Sequence, residues 1–532
     1  MAEKRNKVQI IGAGLAGLSS AITLAKQNIA CNLISMQPSE RAQSVMAEGG
    51  INGAVNTMGE EDSPKEHFAD TMKAGCYLAD AEAVRGLTEL APEIINRLLQ
   101  LGVPFHVKDG VLQLRSFGGQ KKKRTAYAKS STGKSIVTAM INEARKYEQR
   151  GLINRYSHHE FLKLLLFNHE TCMGVQICDT CHGTVLELEG PVIAAFGGMN
   201  GLFPGRTTGS TANTADAAAM LFYQGVRMEN LEMIQYHPTT IGIAGKRCLV
   251  SEAARGEGGR LFVNRGGRPW YFMEEKYPEL GNLMPRDVVA REMYFTVNRP
   301  DCENQIYLDM RGIPKEILTQ KLPDLCGEIK HYMGIQPKRE PIPVEPGIHY
   351  FMGGIQTDRN HRTNIEGVYA AGECCSQYHG ANRLGGNSML GAIYGGVLAA
   401  EHLGTRLASS EGISKIKLGL NVRKKEEKEI YSVTPQLAKE IGIILGKAMG
   451  IVRNEENLTE GFRQLEQLGK AHCLNERELG RILLAEAMLQ SAAFRRESRG
   501  AHFREDYPER EETYCRRIQA FYKEGIVLAF SE

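Results

Sequence analysis

Val8-Gln9-Ile10-Ile11-Gly12-Ala13-Gly14-Leu15-Ala16-Gly17 is the stretch on which the fold turns. A short apolar run leads straight into G-x-G-x-x-G. A helical apolar period then continues to about Gln27, and a second apolar run follows at Cys31–Ser35. This order predicts a βαβ unit opening a doubly wound α/β domain. Gly12, Gly14 and Gly17 would let the backbone approach a pyrophosphate, whose charge suits the free N–H groups and dipole of the helix N-terminus. A dinucleotide is therefore expected. Leu33-Ile34-Ser35-Met36 ends the second strand without the usual ribose-binding acid, which leaves FAD and NAD both open at this point. Ser35 is the candidate hydroxyl for the adenosine.

The remaining composition narrows the function class. A chain of 532 residues has room for about three domains, each with its own core. Lys and Arg (65) nearly balance Asp and Glu (62), so no overall field draws the chain to nucleic acid or to an acidic membrane. Small molecules and proteins are the expected partners. The 57 glycines follow no collagen-like period and suit tight turns and close backbone approaches to a ligand. The polar start at 1–7 does not read as a signal peptide, and no apolar stretch reaches the about 18 residues of a transmembrane segment. The expected compartment is cytoplasmic, with peripheral attachment at the inner face of the membrane through partner subunits. Twelve cysteines then read as reduced thiols.

Further along, 81–101 and 135–148 carry helical periodicity, and short alternating segments between 152 and 189 predict a small antiparallel ribbon. A buried strand is expected at 191–198. Residues 231–350 are broken by Pro and Gly and read as an inserted domain, after which strand–turn–helix resumes at 367–403. From about 409 to the end the composition is charged, low in Gly and almost wholly helical in character. The expected divisions are thus a cofactor domain in two parts, 1–230 and 351–408, a capping domain at 231–350, and a helical domain at 409–532.

Several later segments carry a resemblance. Gln43-Ser44-Val45-Met46-Ala47-Glu48-Gly49-Gly50-Ile51 and His379-Gly380-Ala381-Asn382-Arg383-Leu384-Gly385-Gly386-Asn387-Ser388 resemble the flavin loops of fumarate reductase and succinate dehydrogenase flavoprotein subunits. The likeness extends through Arg115-Ser116-Phe117-Gly118-Gly119-Gln120, Tyr236-His237-Pro238-Thr239, the run from Ser251 to Gly259, Arg286-Asp287-Val288-Val289-Ala290-Arg291, His349-Tyr350-Phe351-Met352-Gly353-Gly354 and the run from Arg496 to Asp506. It implies a bipartite Rossmann-like FAD-binding domain, an inserted α+β capping domain and a C-terminal helical domain. It also implies flavin contacts from Ser44, Gly49, Gly50, Asp216, Glu373, Ser388 and Leu390.

The chemistry can be argued from the residue types as well. Fumarate is a flat dianion, so a site for it needs fixed donors at both carboxylates. Arg383 offers a planar fork. His237, His349 and Ser251 offer donors of suitable reach, and Phe117 lies in a matching loop. The resemblance makes Arg286 the proton donor, with Glu252 and Arg255 as its relay. An arginine is an unexpected acid, because its ordinary pKa is above 12, so it can serve only if the relay reloads it.

Departures from the family pattern are informative. Its membrane-complex members carry a flavin-linking His where this chain has Gln43, whose amide cannot form that bond. FAD is therefore expected to be non-covalent, which favours fumarate reduction over succinate oxidation. Ser251 stands where Thr is usual and keeps the hydroxyl. Ala215 and Ala217 flank Asp216 where the family has Gly, so the backbone path there is open.

Cys178-Asp179-Thr180-Cys181-His182 has c-type haem spacing, but falls at an expected hairpin turn and reads as that turn. Lys121–Arg124 reads as a solvated loop, and Cys374-Cys375 as buried thiols. Two alternatives stand beside the main reading. One is L-aspartate oxidase, which shares most carboxylate-binding residues but has Arg-Leu-Ala-Ser-Asn-Ser where this chain has Arg-Leu-Gly-Gly-Asn-Ser. The other is a non-catalytic electron-transfer flavoprotein, against which Arg286 and Arg383 argue. No metal site is expected, no iron–sulfur ligands are visible, and electrons are expected from a separate iron–sulfur subunit or a diffusible donor.

Overall fold

The computed structural model describes residues 7–129, 131–210, 212–409, 432–471 and 473–531. The polar start at 1–6 and residues 410–431 of the expected helical region lie outside them. The strand Val8–Ile11 is central in a five-stranded parallel sheet, flanked by Cys31–Ser35 and Val192–Ala194, with Ile153–Ser157 and Val368–Ala370 outermost. The helix Leu15–Lys26 links the first two strands. It is Ala-rich and buried nearly all round, because the sheet covers one side and the helix Asn387–Ala408 covers another. Ser20 Oγ donates to Gly396 O at 2.9 Å, and a Cβ on Gly396 would lie 2.4 Å from Ala16 O. Only glycine permits that crossing. It fastens sequence from the 380s and 390s to the opening unit.

The alternating segments form an antiparallel ribbon of His159–Phe167, Thr171–Asp179 and Val185–Glu189. A six-stranded sheet containing Ile234–Ile243 and Ile342–Phe351 spans the expected insert. Beneath it lies a separate apolar core drawn from residues 241–344. The helices Pro435–Ala448, Glu455–Ala471 and Glu476–Phe494 then pack on one another. Among the described residues no helix is long and apolar enough to cross a membrane.

Two expectations need correction. Helix does not continue to the end: after Phe494 the chain becomes irregular and finishes in a hairpin, Ile518–Tyr522 with Ile526–Phe530. That hairpin pairs with Met228–Glu229 in a second five-stranded sheet. The charged stretch 495–506 lies in this irregular part and is not a surface run. Arg495, Arg499 and Arg504 are buried on carboxylates of Glu232, Glu497 and Asp506.

Nor is Arg124 solvated. Its guanidinium is fully buried, bidentate on Asp62 at 2.9 and 3.1 Å, and 2.9 Å from Asp70. Removing it would strand two buried carboxylates. Arg124→Met should therefore lower stability by about 3–5 kcal/mol, seen as a fall in thermal midpoint. Lys121→Met, at an exposed side chain, should stay within about 0.5 kcal/mol.

Candidate active site

One long cleft runs from the end of the second parallel strand to the sheet of the insert, and it collects most of the residues singled out from sequence. At its first end Gly12 has φ +114°, and a Cβ there would lie 2.2 Å from Ala195 O. Gly17 faces away from the cleft, where a Cβ would lie 1.9 Å from Gly12 O. It allows the helix to sit on the strand. Gly14 caps the helix, and Leu15 N donates to Ser44 Oγ at 3.2 Å. Ser35 lines this end, but its hydroxyl donates to Gln37 O at 2.7 Å.

Midway, a Cβ on Gly49 would meet the Phe117 ring at 2.8 Å, and Gly50 has φ +136°. Glu373 Oε1 accepts from Phe351 N at 3.1 Å, and burial pushes its carboxyl up to about 7. The helix Asn387–Ala408 opens into the cleft behind Gly386, a left-handed residue at φ 85°, with Ser388 on the lining. Leu390 does not line the cleft with its side chain. Its side chain is in the apolar core, and Met389 and Ala392 line the cleft in its place.

The far end is cationic and buried. Arg286 begins the helix Arg286–Val297, and its Nε and Nη2 donate to Glu252 Oε2 at 2.9 and 2.6 Å. Glu252 Oε1 accepts from Gly118 N at 3.1 Å and lies 3.5 Å from Arg255 Nη2. Arg255 stands behind this pair, off the lining, donating to Asn282 O at 2.6 Å. Burial alone would raise the Glu252 carboxyl, but Arg286 and Arg255 outweigh it and hold it at about 2, so it is ionised.

Across the cavity Arg383 lies 4.3 Å over the Tyr350 ring, and burial, then Arg286, lowers it to about 9. The His237 and His349 rings are 5.1 Å apart, and both are driven well below their ordinary pKa by burial and neighbouring charges, which keeps them neutral. Thr208 Oγ1 meets His349 Nδ1 at 2.9 Å. Ser251 and Phe117 complete this end. His237 Nε2 and Arg383 Nε are buried without a hydrogen-bond partner among the described residues. Such atoms are costly unless a polar ligand meets them.

Three residues not singled out hold this end together. Gln235 accepts from Arg286 Nη1 at 3.0 Å and donates to Asn382 Oδ1 and Arg383 O at 2.8 and 2.9 Å. Strand alternation from His237 could have pointed to it. Asn52 donates to Gly385 O at 2.8 Å and accepts from Gln120, which also donates to Gly385 O at 3.0 Å. Nothing local in the sequence marks that knot.

Comparison with known proteins settles the family. A family model described as "FAD binding domain" matches residues 7–389, and one described as "Fumarate reductase flavoprotein C-term" matches residues 438–528. The succinate dehydrogenase flavoprotein subunit of Bacillus subtilis is 38% identical, covering 96% of this chain and 92% of that protein. The fumarate reductase flavoprotein subunit of Haemophilus influenzae is 31% identical, covering 97% and 92%. A solved structure of Escherichia coli quinol fumarate reductase superposes with TM-score 0.84 at 30% identity, covering 99% of this chain and 96% of that one. The chain belongs to the fumarate reductase and succinate dehydrogenase flavoprotein family.

As an FAD-dependent oxidoreductase of this family, the chain must hold FAD, and its cleft fits. It is continuous from the glycine turn to the buried cations, and the backbone is kept bare at Gly12, Gly14, Gly49 and Gly50. Gln43 lines it, with Nε2 3.5 Å from Thr208 O and Oε1 without a partner among the described residues. Burial raises Glu48, beside the same loop, to about 8.

Asp216 lines the cleft too, but its carboxylate is gripped from outside by Arg477 and Arg481. The backbone path left open by the missing glycines is the glycine-like one: Ala215 has φ 69° and ψ 2°, which costs an L-residue about 1–2 kcal/mol.

The haem-like motif does form the hairpin turn. Asp179 Oδ1 accepts from Cys181 N and His182 N, and its Oδ2 meets His182 Nδ1 at 2.8 Å. Cys374 and Cys375 are buried thiols, as read.

Glu373 gives a test of the electrostatics. Its folded pKa of about 7 exceeds the ordinary 4.5, so the native state holds the proton more tightly and stability falls as pH rises between these values. In the apoprotein, Glu373→Gln should gain thermal midpoint on the parent progressively from pH 4.5 to 7, and the gap should level off above that. A gap independent of pH would refute the raised carboxyl.

Proposed function

We propose that this flavoprotein interconverts fumarate and succinate, working chiefly as a fumarate reductase with non-covalent FAD. The observation that carries the reading is the buried line Arg286–Glu252–Arg255 facing Arg383 and two neutral histidines across one cavity. Arg383 and the His237, His349 and Ser251 donors would fix the two carboxylates, and clamping them would polarise the double bond. FAD, when bound, supplies the hydride. Arg286 would give the proton to the neighbouring carbon, so that fumarate gains one hydride and one proton and becomes succinate. Ionised Glu252 lies between two guanidinium groups and would pass a proton from Arg255 to reload Arg286. Gln235 would hold Arg286 and the Arg383 loop in register.

Gln43 supports the non-covalent clause, and with it the direction. The relatives are named for both directions. Their names call them subunits, which supports a separate electron-transfer partner, an iron–sulfur subunit being the proposed kind.

With reduced dye as donor, fumarate consumption should outpace dye-coupled succinate oxidation. The reverse order would overturn the assigned direction. Hydrogen peroxide formed from L-aspartate without fumarate turnover would favour the oxidase. Arg286→Met should cut kcat by about 10²–10⁴-fold while FAD stays bound.

Acid precipitation should leave the flavin in the supernatant. Flavin fluorescence on the denatured polypeptide would exclude dissociable FAD.

A further inference from the structure

The helix Glu476–Phe494, within the match to the C-terminal family model, sends two arginines onto the wall of the cofactor cleft. Arg477 and Arg481 are one turn apart and share a face. Arg481 Nη2 donates to Thr214 O at 2.7 Å, and its Nε donates to Asp216 Oδ1. Arg477 Nη2 donates to Asp216 Oδ2 at 2.9 Å and also to Glu160 Oε1. Asp216 and Glu160 line the same cleft as Ser35 and Gln37, and Arg477 and Arg481 hold them from behind its wall. The turn they grip contains Ala215 in the left-handed region, where an L-residue is strained, immediately before the helix Asp216–Tyr223.

We propose that Arg477 and Arg481 are positioning residues for FAD, forming a latch with two functions. By holding Thr214 O and Asp216 together, Arg481 keeps the turn in its strained form and keeps the cleft wall in place. The two guanidinium groups also cancel the charges of Asp216 and Glu160, which would otherwise repel the diphosphate of the dinucleotide. Removing either arginine leaves a net charge of about −1 in a poorly hydrated wall. FAD retention is thereby coupled to docking of the C-terminal helices, in a chain whose Gln43 offers no covalent tether. The proposal rests on FAD binding and is independent of the substrate.

The test uses holoenzyme and follows flavin fluorescence as FAD leaves. Arg481→Met should raise the FAD Kd tenfold or more. Adding Ala215→Gly should recover part of that loss by relieving the turn, and adding Asp216→Asn should recover the part that salt screens. Arg481→Lys, which keeps the charge but loses the fork, should fall between parent and Arg481→Met, and it serves where the latter does not fold. An FAD Kd within twofold of the parent in these variants, with apo and holo thermal midpoints lowered equally, would overturn the latch. Parent protein that binds no FAD would overturn the cofactor reading and the latch together.

Discussion

The helices Leu15–Lys26 and Asn387–Ala408 approach until a serine hydroxyl of one reaches a backbone carbonyl of the other at 2.9 Å. No side chain larger than hydrogen fits at Gly396, and a Cβ on Gly372 would lie 2.9 Å from that of Ala16. This contact sets the depth at which the second helix lies over the sheet. The loop ahead of that helix carries Arg383 and its first turn carries Ser388, while the turn ahead of the first helix carries Gly12 and Gly14. A single packing distance therefore governs the length of the cleft, from its pyrophosphate end to its carboxylate end. The insert is positioned indirectly, through Gln235 and its hydrogen bonds to Asn382 and Arg383.

The cationic end of the cleft shows how buried charge is kept tolerable. Three arginines share this end, Arg286 and Arg255 on Glu252 and Arg383 across the cavity, so the end carries an excess of positive charge that suits a dianion. The two histidines stay neutral because burial, and then the neighbouring positive charges, make a charged ring unfavourable there. They thus keep hydrogen-bonding ability without adding repulsion. A ligand with two carboxylates relieves the excess, and a neutral one does not.

Much of this was legible in the sequence because it follows local rules. The glycine turn, the helix after it and the strand Cys31–Ser35 follow from spacing alone, and the cleft residues from ordered motifs. What escaped depends on partners distant in sequence. Arg124 looked like the end of a basic run, and only the fold brings Asp62 and Asp70 around it. Leu390 lies in a motif that touches the cleft, yet helical geometry turns its side chain into the core. The charged stretch after Phe494 has the composition of a solvated helix and the environment of a core. Asn52, Gln120 and Gln235 are polar residues of ordinary type whose roles arise from contacts with partners 51 to 333 positions away.

The closing hairpin bears on how the protein is made. Residues 518–530 complete a sheet whose other strands come from 228–229, 354–356 and 375–376, and Arg517 beside them donates to Glu229, whose carboxyl burial pushes up to about 7 against the pull of that arginine. During synthesis those inner strands emerge long before the hairpin does. Until then Met228–Glu229 presents an unpaired edge, the kind of surface that recruits the wrong partner. Final assembly of this region has to wait until synthesis has passed residue 530, long after the inner strands are available to pair wrongly.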